Sequence, residues 1–274
     1  MEPILYANAY SNEVYSSRSI MTKIKDRFSI RIKKKYFIED LDLKITDVAL
    51  PPNINQLSYH NNLMRAKKIC RFKDLKLAPK VYRYLDYNMY DEFQKKLMAY
   101  GICKSTGMVL RNIKKNVRSS CIVIYDAADN ILFDIICFFA REAKFIVLLS
   151  ENMHKINKIR EYVIANYGVS PVVTSDEEFF FKMSDFIITS KDMIFYKDAC
   201  VWYVCNSPIE NFDHVININD VNYKIPWNFE RGEMCFEILG SILSQMAEKD
   251  IVKSLKYNGV FLNDIKYNGH IINF

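Results

Sequence analysis

Short apolar runs recur along the second half of the chain and are separated by amphipathic stretches. They are CIVIYD (121–126), KFIVLL (144–149), PVVT (171–174), DFIIT (185–189), CVWYVC (200–205) and HVIN (214–217). A run without polar alternation is typical of a strand that is buried on both faces, as in a parallel sheet. The pattern therefore predicts six buried strands.

The stretches between these runs have helical spacing. A first helix is predicted to run to about Glu142, capped by Asp129 or Asn130, and a second covers 152–166 and ends at Gly168. Strands that alternate with helices indicate βαβ units, and right-handed crossovers leave few topologies. The predicted fold class is α/β, with a doubly wound, mostly parallel Rossmann-like sheet preceded by a smaller basic α+β module.

The first half of the chain has a different pattern. Apolar and charged residues alternate over 28–45, as in half-buried strands, and Pro51-Pro52 then interrupts the chain. Residues 53–118 are predicted to be mainly helical. One of these helices is predicted over 90–101, with Gly101 as its C-terminal cap.

The charges also divide the chain in two. Residues 1–120 carry 24 Lys and Arg against 11 Asp and Glu, whereas residues 121–274 carry 14 against 21, for a net charge of +6. This asymmetry suggests two modules and permits a head-to-tail contact, within one chain or between copies. We predict a basic α+β module over 1–118 and a Rossmann-like domain over 119–274. A long amphipathic helix, from about Glu230 to Leu255, is predicted to close the second domain and to pack back across the module boundary.

Residues 119–210 resemble the NAD(P)-binding Rossmann domain of shikimate dehydrogenases and glutamyl-tRNA reductases. The segment 121–152 is similar to that family's first strand, phosphate loop, helix and second strand. SDFIITS (184–190) resembles the signature of the fourth strand, and VWYVCNSP (201–208) resembles the fifth strand. The resemblance implies a dinucleotide-binding fold with NAD or NADP as the cofactor.

The three glycines of that family's phosphate loop are replaced in this chain. Aligning the first helix and second strand places them at Ala127, Asp129 and Leu132. The glycines normally allow a tight turn, close approach of the backbone to the pyrophosphate, and close helix–strand packing. Asp129 instead puts an anion on the phosphate path, where two like charges about 4 Å apart repel by roughly 1–4 kcal/mol. The family's Asn-Val-Thr-x-Pro-x-Lys segment is absent too, so no catalytic residue is carried over.

An open parallel sheet binds ligands at the carboxyl ends of its strands. Glu151 follows the second strand at the spacing of the acidic residue that binds an NAD ribose, although a solvated glutamate in a first helical turn is the alternative. Asp129 is interpreted as a helix cap, or else as a ligand for a cationic or neutral group. The residues predicted at this edge are Asp126, Ala127, Asp129, Asn130, Ser150, Glu151, Asn152, Thr189, Ser190 and Asn206.

The sequence is compatible with three functions. The missing glycines favour a Rossmann-like protein that has lost dehydrogenase activity, needs no cofactor, and acts as a binding, regulatory or structural protein. The strand pattern and Glu151 fit an NAD(P)-dependent oxidoreductase with an atypical glycine-free loop. Strand alternation would place Arg31, Lys33 and Lys35 on one face, which fits an anion-binding or nucleic-acid-binding surface. A lysine-protected edge strand explains these charges as well, and we favour it.

Several classes of site are not expected. The seven cysteines form no CxxC pair and the four histidines are dispersed, which argues against a disulfide framework and against a metal site. The longest apolar stretch, 131–140, is too short to cross a membrane and contains Asp134. We expect a cytoplasmic protein with a small-molecule ligand at the sheet edge and a protein partner or a second copy, and we expect neither nucleic acid nor a membrane as a partner.

Overall fold

The computed structural model describes residues 1–9, 14–71, 74–193, 200–205, 216–230 and 233–273. Within these ranges, only the backbone of Phe179 and Phe180 is described. The chain forms two compact units, each built from two segments. The first unit comprises Met1–Leu97 and Asn222–Phe261, and the second comprises Met98–Val221 and Leu262–Phe274. The division differs from the single boundary predicted at 118/119, because the chain returns to the first unit after residue 221.

The helices and strands have the following bounds. The helices are α1 (Ile20–Ser29), α2 (Gln56–Cys70), α3 (Arg83–Asp86), α4 (Glu92–Asn112), α5 (Phe133–Glu142), α6 (Met153–Tyr167), α7 (Glu177–Met183), α8 (Phe236–Leu243) and α9 (Ile251–Tyr257). The strands are β1 (Ile4–Ala9), β2 (Arg31–Ile38), β3 (Leu43–Leu50), β4 (Lys76–Lys80), β5 (Cys121–Tyr125), β6 (Phe145–Leu149), β7 (Val172–Thr174), β8 (Phe186–Thr189), β9 (Cys200–Tyr203), β10 (Asn217–Ile218), β11 (Asp220–Lys224), β12 (Glu233–Cys235), β13 (Phe261–Tyr267) and β14 (His270–Ile271). Among the described residues, we find no helix whose length and apolar character would let it cross a bilayer.

The first unit contains a four-stranded sheet in the order β2-β3-β1-β4. Strand β1 runs parallel to β3 and β4, whereas β2 is antiparallel to β3 and forms an edge. The β2–β3 pair confirms the strands predicted over 28–45. Helix α2 packs on one face of the sheet through Tyr59, Leu63 and Ala66.

Strand β4 was not predicted, because it lies in the segment 53–118 that has mainly helical spacing. It contains Pro79, which faces Ala7 of β1 in the register. An edge strand tolerates proline, since its outward N–H has no ladder partner to lose. The prediction of a mainly helical segment is therefore wrong at this strand.

The charged strand β2 is interrupted by a bulge. The register shifts between Ile32 and Lys34, so the alternation predicted for Arg31, Lys33 and Lys35 is broken at Lys33. All residues from Arg31 to Lys35 are exposed. The edge position of β2 agrees with the interpretation of these lysines as protection of a solvated edge strand.

The second unit contains a six-stranded parallel sheet in the order β10-β9-β8-β5-β6-β7. If β5 is counted as strand 1 and β10 as strand 6, the order read from β7 is 3-2-1-4-5-6. This is the strand order of dinucleotide-binding sheets. The predicted α/β class and doubly wound sheet are thus confirmed. Strands β5 to β9 match five of the predicted runs, and the sixth begins at Asn217, with residues 214 and 215 outside the described part of the chain.

Both faces of this sheet are covered. On one face the buried cluster of Val123, Ile187 and Val201 packs with Tyr267 and Phe181. On the other face the indole Nε1 of Trp202 donates a hydrogen bond to Ser105 Oγ of α4, 2.9 Å away, and both side chains are fully buried. Coverage on both sides explains why the strands read as continuous apolar runs.

Two predicted helix ends are wrong. Helix α4 continues through Gly101 to Asn112, because buried side chains such as Ile102, Val109 and Leu110 extend its apolar spacing. A glycine within a helix is tolerated when packing on both sides of it stabilises the helix.

The long helix predicted from Glu230 to Leu255 is instead a strand, β12, and two short helices, α8 and α9. The amine of Lys249 donates to the carbonyl oxygens of Ser244 and Met246, which satisfies the acceptors left where α8 ends. Asp250 then caps α9 by accepting from the amide of Lys253. These local signals divide the apolar periodicity into two helices.

Candidate ligand site at the carboxyl edge of the parallel sheet

Asp126 lies in the turn that follows β5. Its side chain contacts residues that follow the two neighbouring strands, β6 and β8. Its backbone is left-handed, with φ of 57°, a conformation that Asp adopts more readily than most residues. Its carboxylate accepts a hydrogen bond from Ser150 Oγ at 3.3 Å, and Lys191 Nζ lies 3.0 Å from its other oxygen. Ser150 follows β6 and Lys191 follows β8, so the strand ends meet as predicted. Lys191 was not predicted, although it directly follows Ser190 in the sequence.

The backbone amides of the loop after β5 are used within the protein. The amide of Ala127 donates to the carbonyl of Leu149 (3.0 Å), and the amide of Asp129 donates to that of Asp126 (2.8 Å). The amides of Ile131 and Leu132 donate to the side chain and the carbonyl of Asp129, respectively. In dinucleotide-binding sheets, amides at this position bind phosphate oxygens. Here they already have acceptors.

The residues at the replaced glycine positions have structural roles. Ala127 and Leu132 are fully buried in the core. Asp129 caps the short 3-10 turn Asn130–Leu132 that leads into α5. The side-chain carbonyl of Asn130 accepts a hydrogen bond from Lys155 Nζ at 2.8 Å. The interpretation of Asp129 as a helix cap is therefore confirmed.

Ser150, Glu151 and Asn152 connect β6 to α6. Ser150 is buried, and its amide donates to the carbonyl of Thr174 at 3.1 Å. Asn152 caps α6 by accepting from the amide of Lys155. Glu151 is exposed, and its carboxylate makes no hydrogen bond or ion pair to any residue that the structure describes.

Thr189 and Ser190 lie at the end of β8 and are both buried. Thr189 Oγ1 accepts from the amide of Lys191 at 2.9 Å. Ser190 Oγ has no hydrogen-bond partner within the described ranges, which is costly for a buried hydroxyl and marks a position where a ligand atom or water would be favourable. Asn206, also predicted at this edge, lies outside the described residues.

The local charge at this edge includes several carboxylates. The hydroxyl of Tyr125 donates to Glu177 Oε1 at 2.9 Å. Burial, together with this bond and the charges of Asp126 and Glu151, raises the pKa of Tyr125 to about 12. The edge therefore disfavours an added anion, although Lys191 offsets part of the charge of Asp126. In the part of the chain that the structure describes, His, Cys, Asp and Glu side chains form no group of three that could hold a metal ion.

Comparisons with known proteins find structural similarity only. No protein-family model matches the sequence, and no curated protein matches it. The structure is similar to that of shikimate 5-dehydrogenase from Listeria monocytogenes, solved with shikimate and NAD, at 9% identity and a TM-score of 0.40, over 93% of this chain and 96% of that one. It is similar to quinate dehydrogenase from Corynebacterium glutamicum, solved with NAD, at 8% identity and a TM-score of 0.40, over 93% and 98% of the two chains.

Shikimate dehydrogenase from Aquifex aeolicus is another similar structure, at 12% identity and a TM-score of 0.40, over 74% of this chain and 78% of that one. Similarity at this level concerns the arrangement of helices and strands alone. The pairing of strands β5 to β10 itself establishes the Rossmann strand order. The fold does not determine the function, which depends on the residues at the sheet edge.

Proposed function

We propose that this chain is a Rossmann-type protein without dinucleotide-dependent dehydrogenase activity, acting in the cytoplasm as a binding, regulatory or structural protein. The observation that carries the proposal is the use of the amides of Ala127, Asp129, Ile131 and Leu132 as internal donors. A pyrophosphate would have to compete with these bonds. It would also approach the carboxylate of Asp129, with a repulsion of roughly 1–4 kcal/mol at contact distance.

The same edge supports binding of a small neutral or cationic molecule. Ser190 presents a buried hydroxyl without a partner among the described residues, and the Asp126 carboxylate lies at the switch point between β5 and β8. Ligands of open parallel sheets bind at this point. Hydrogen-bonding groups on such a ligand would satisfy Ser190, whereas phosphates would find no unoccupied amide among the four named above.

A fluorescence titration of NADH and NADPH against the purified protein tests the proposal. We expect no saturable change in nicotinamide fluorescence up to about 1 mM, the upper end of the range usual for enzyme substrates. Saturation at lower concentration with either nucleotide would contradict the proposal. It would show that the loop rearranges to release its amides.

A specific observation favours the alternative, an NAD(P)-dependent oxidoreductase with a glycine-free loop. Glu151 is exposed at the end of β6, where an acidic residue binds the ribose in dinucleotide-binding sheets. If this alternative holds, Glu151→Ala weakens nucleotide binding by about tenfold, the loss of one charged hydrogen bond. Glu161→Ala, which removes an exposed carboxylate further along α6, is the matched control and should leave affinity unchanged.

A further inference from the structure

Helix α1 buries polar side chains and exposes apolar ones. Asp26 is 1% exposed, and its carboxylate accepts hydrogen bonds from Tyr15 Oη (2.5 Å), Asn53 Nδ2 (2.9 Å) and Asn62 Nδ2 (3.0 Å). Thr22, one turn earlier on the same side of the helix, bonds to Ser19 and Ser17. A surface helix normally directs its apolar stripe toward the core. Here polar contacts hold the helix in place instead.

The opposite side of α1 carries four large apolar side chains in a row. Ile20 is 76% exposed, Met21 77%, Ile24 49% and Phe28 83%. At 100° per residue these four occupy a single arc of the helix. We call them the α1 face. A contiguous exposed apolar patch of this kind marks a surface that another molecule covers.

Basic residues lie on both sides of the α1 face. Helical spacing places Lys23 and Arg27 on one flank and Lys25 on the other, and all three are exposed. The only acidic residue of α1 is the buried Asp26. The molecule that covers the α1 face must therefore combine an apolar interior with negative charge at its rim.

A cationic groove continues from the end of the α1 face. Its volume is about 450 Å³, and among its lining residues are Phe28, Tyr15 and two cations, Lys25 and Arg31. Among the residues that the structure describes, its lining contains no acidic side chain. The groove thus has the size and charge for an anionic group such as a phosphate with its substituents, next to the apolar side chain of Phe28.

We propose that the α1 face and this groove bind the surface of an anionic lipid bilayer, although the sequence predicts no membrane partner. The four apolar side chains enter below the headgroups, the flanking Lys and Arg side chains extend to the phosphates, and the groove receives a phosphate-bearing headgroup. A bilayer accepts a convex row of apolar side chains without a matching groove, whereas a protein partner would need one. A nucleic-acid duplex offers no apolar interior for the row.

We expect insertion of the apolar side chains and attraction of the basic residues to anionic lipid to act together. A ten-residue helix inserts too little apolar surface for stable attachment alone, and charge attraction alone would not explain the apolar row. Attraction to anionic lipids falls off within a Debye length, so binding should weaken as salt rises. This proposal concerns the first unit only and does not depend on whether the second unit binds a nucleotide.

Flotation of the full-length protein with lipid vesicles tests this proposal. We expect binding to vesicles of phosphatidylcholine with about 30% phosphatidylserine, and not to pure phosphatidylcholine, because the attraction is to anionic lipid. The variant Ile24→Ser with Phe28→Ser should reduce the bound fraction at least about tenfold, since each exchange removes an exposed apolar side chain that the bilayer would bury. Val252→Ser with Phe261→Ser is the matched control, because it removes two other exposed apolar side chains of the same unit. Melting curves of both variants test whether they remain folded.

Three results would overturn the proposal. One is no difference between the two kinds of vesicle. Another is full binding by the Ile24→Ser, Phe28→Ser variant, which would leave charge alone as the cause. The third is loss of binding in the control variant to the same extent, which would indicate unspecific adhesion.

Discussion

Gly240→Ala should lower the free energy of unfolding of the first unit by about 3 kcal/mol or more, the upper range for overpacking of a core. An added Cβ at Gly240 would lie 2.7 Å from Cγ and 2.9 Å from Cα of Gln94. Gln94 cannot shift without a cost in free energy, because its side-chain amide donates hydrogen bonds to the carbonyls of Leu77 and Glu237 and to Ser241 Oγ. Chemical denaturation followed by far-UV circular dichroism measures the loss.

Gly107→Ala is the matched control for this substitution. Gly107 also lies in a helix, α4, but an added Cβ would meet only Val117 Cγ2, at 3.4 Å. Alanine has the higher helix propensity, so this variant should gain about 0.5–1 kcal/mol. Equal stability of the two variants would mean that α8 and α4 are not packed as closely as the structure shows.

The stability of the first unit should decrease as pH rises from about 4 to about 7, because of Asp86. This carboxyl group is fully buried and accepts bonds from Tyr59 Oη and from the amides of Val81 and Tyr82. Burial, reinforced by the nearby charge of Glu237, raises the pKa of Asp86 to about 7. Arg83, also fully buried, forms an ion pair with Glu237.

The decrease in stability with rising pH follows from the difference in proton binding between the folded and unfolded states. The unfolded pKa of Asp is about 3.9, so between this value and about 7 the folded state holds a proton that the unfolded state has lost. The stabilisation is complete below the unfolded pKa and is lost as pH rises through the folded pKa. The expected slope approaches 1.4 kcal/mol per pH unit, or up to about 4 kcal/mol in total.

Asp86→Asn should remove most of this pH dependence, because an amide keeps the acceptor for the two amides and carries no charge. Denaturation midpoints at pH 4, 5, 6 and 7, within the window set by the two pKa values, measure it. Glu92→Gln, which neutralises a mostly exposed carboxylate of the same unit, is the control and should retain the wild-type profile. A flat wild-type profile would show that Asp86 is ionised when the protein folds.

The parallel sheet and the meeting of its strand ends can largely be predicted from the sequence. Strands β5 to β9 are buried on both faces, so each is a continuous apolar run with turn residues on either side. The carboxyl ends of such strands meet at one edge, which is why Asp126 and Ser150 are in contact as expected. The loop's lack of glycine is also visible in the sequence, and the structure shows the helix cap that replaces it.

Other features depend on contacts that sequence spacing does not report. The pair Arg83 and Glu237 joins residues 154 positions apart, and nothing near either residue in the sequence indicates a buried ion pair. The return of the chain to the first unit at Asn222 likewise depends on tertiary packing. Lys191 follows a predicted strand end, but a lysine in a polar turn is ordinarily solvated, so its contact with Asp126 is not apparent from the sequence.

Hydrogen–deuterium exchange shows whether the loop amides are bonded within the protein, as the proposed loss of dinucleotide binding requires. We expect the amides of Ala127, Asp129, Ile131 and Leu132 to exchange slowly in the free protein, because each has an internal acceptor. We also expect NADH and NADPH to leave these exchange rates unchanged. Rapid exchange in the free protein that becomes slow when either nucleotide is added would be incompatible with the proposed function and would identify the loop as a working phosphate-binding site.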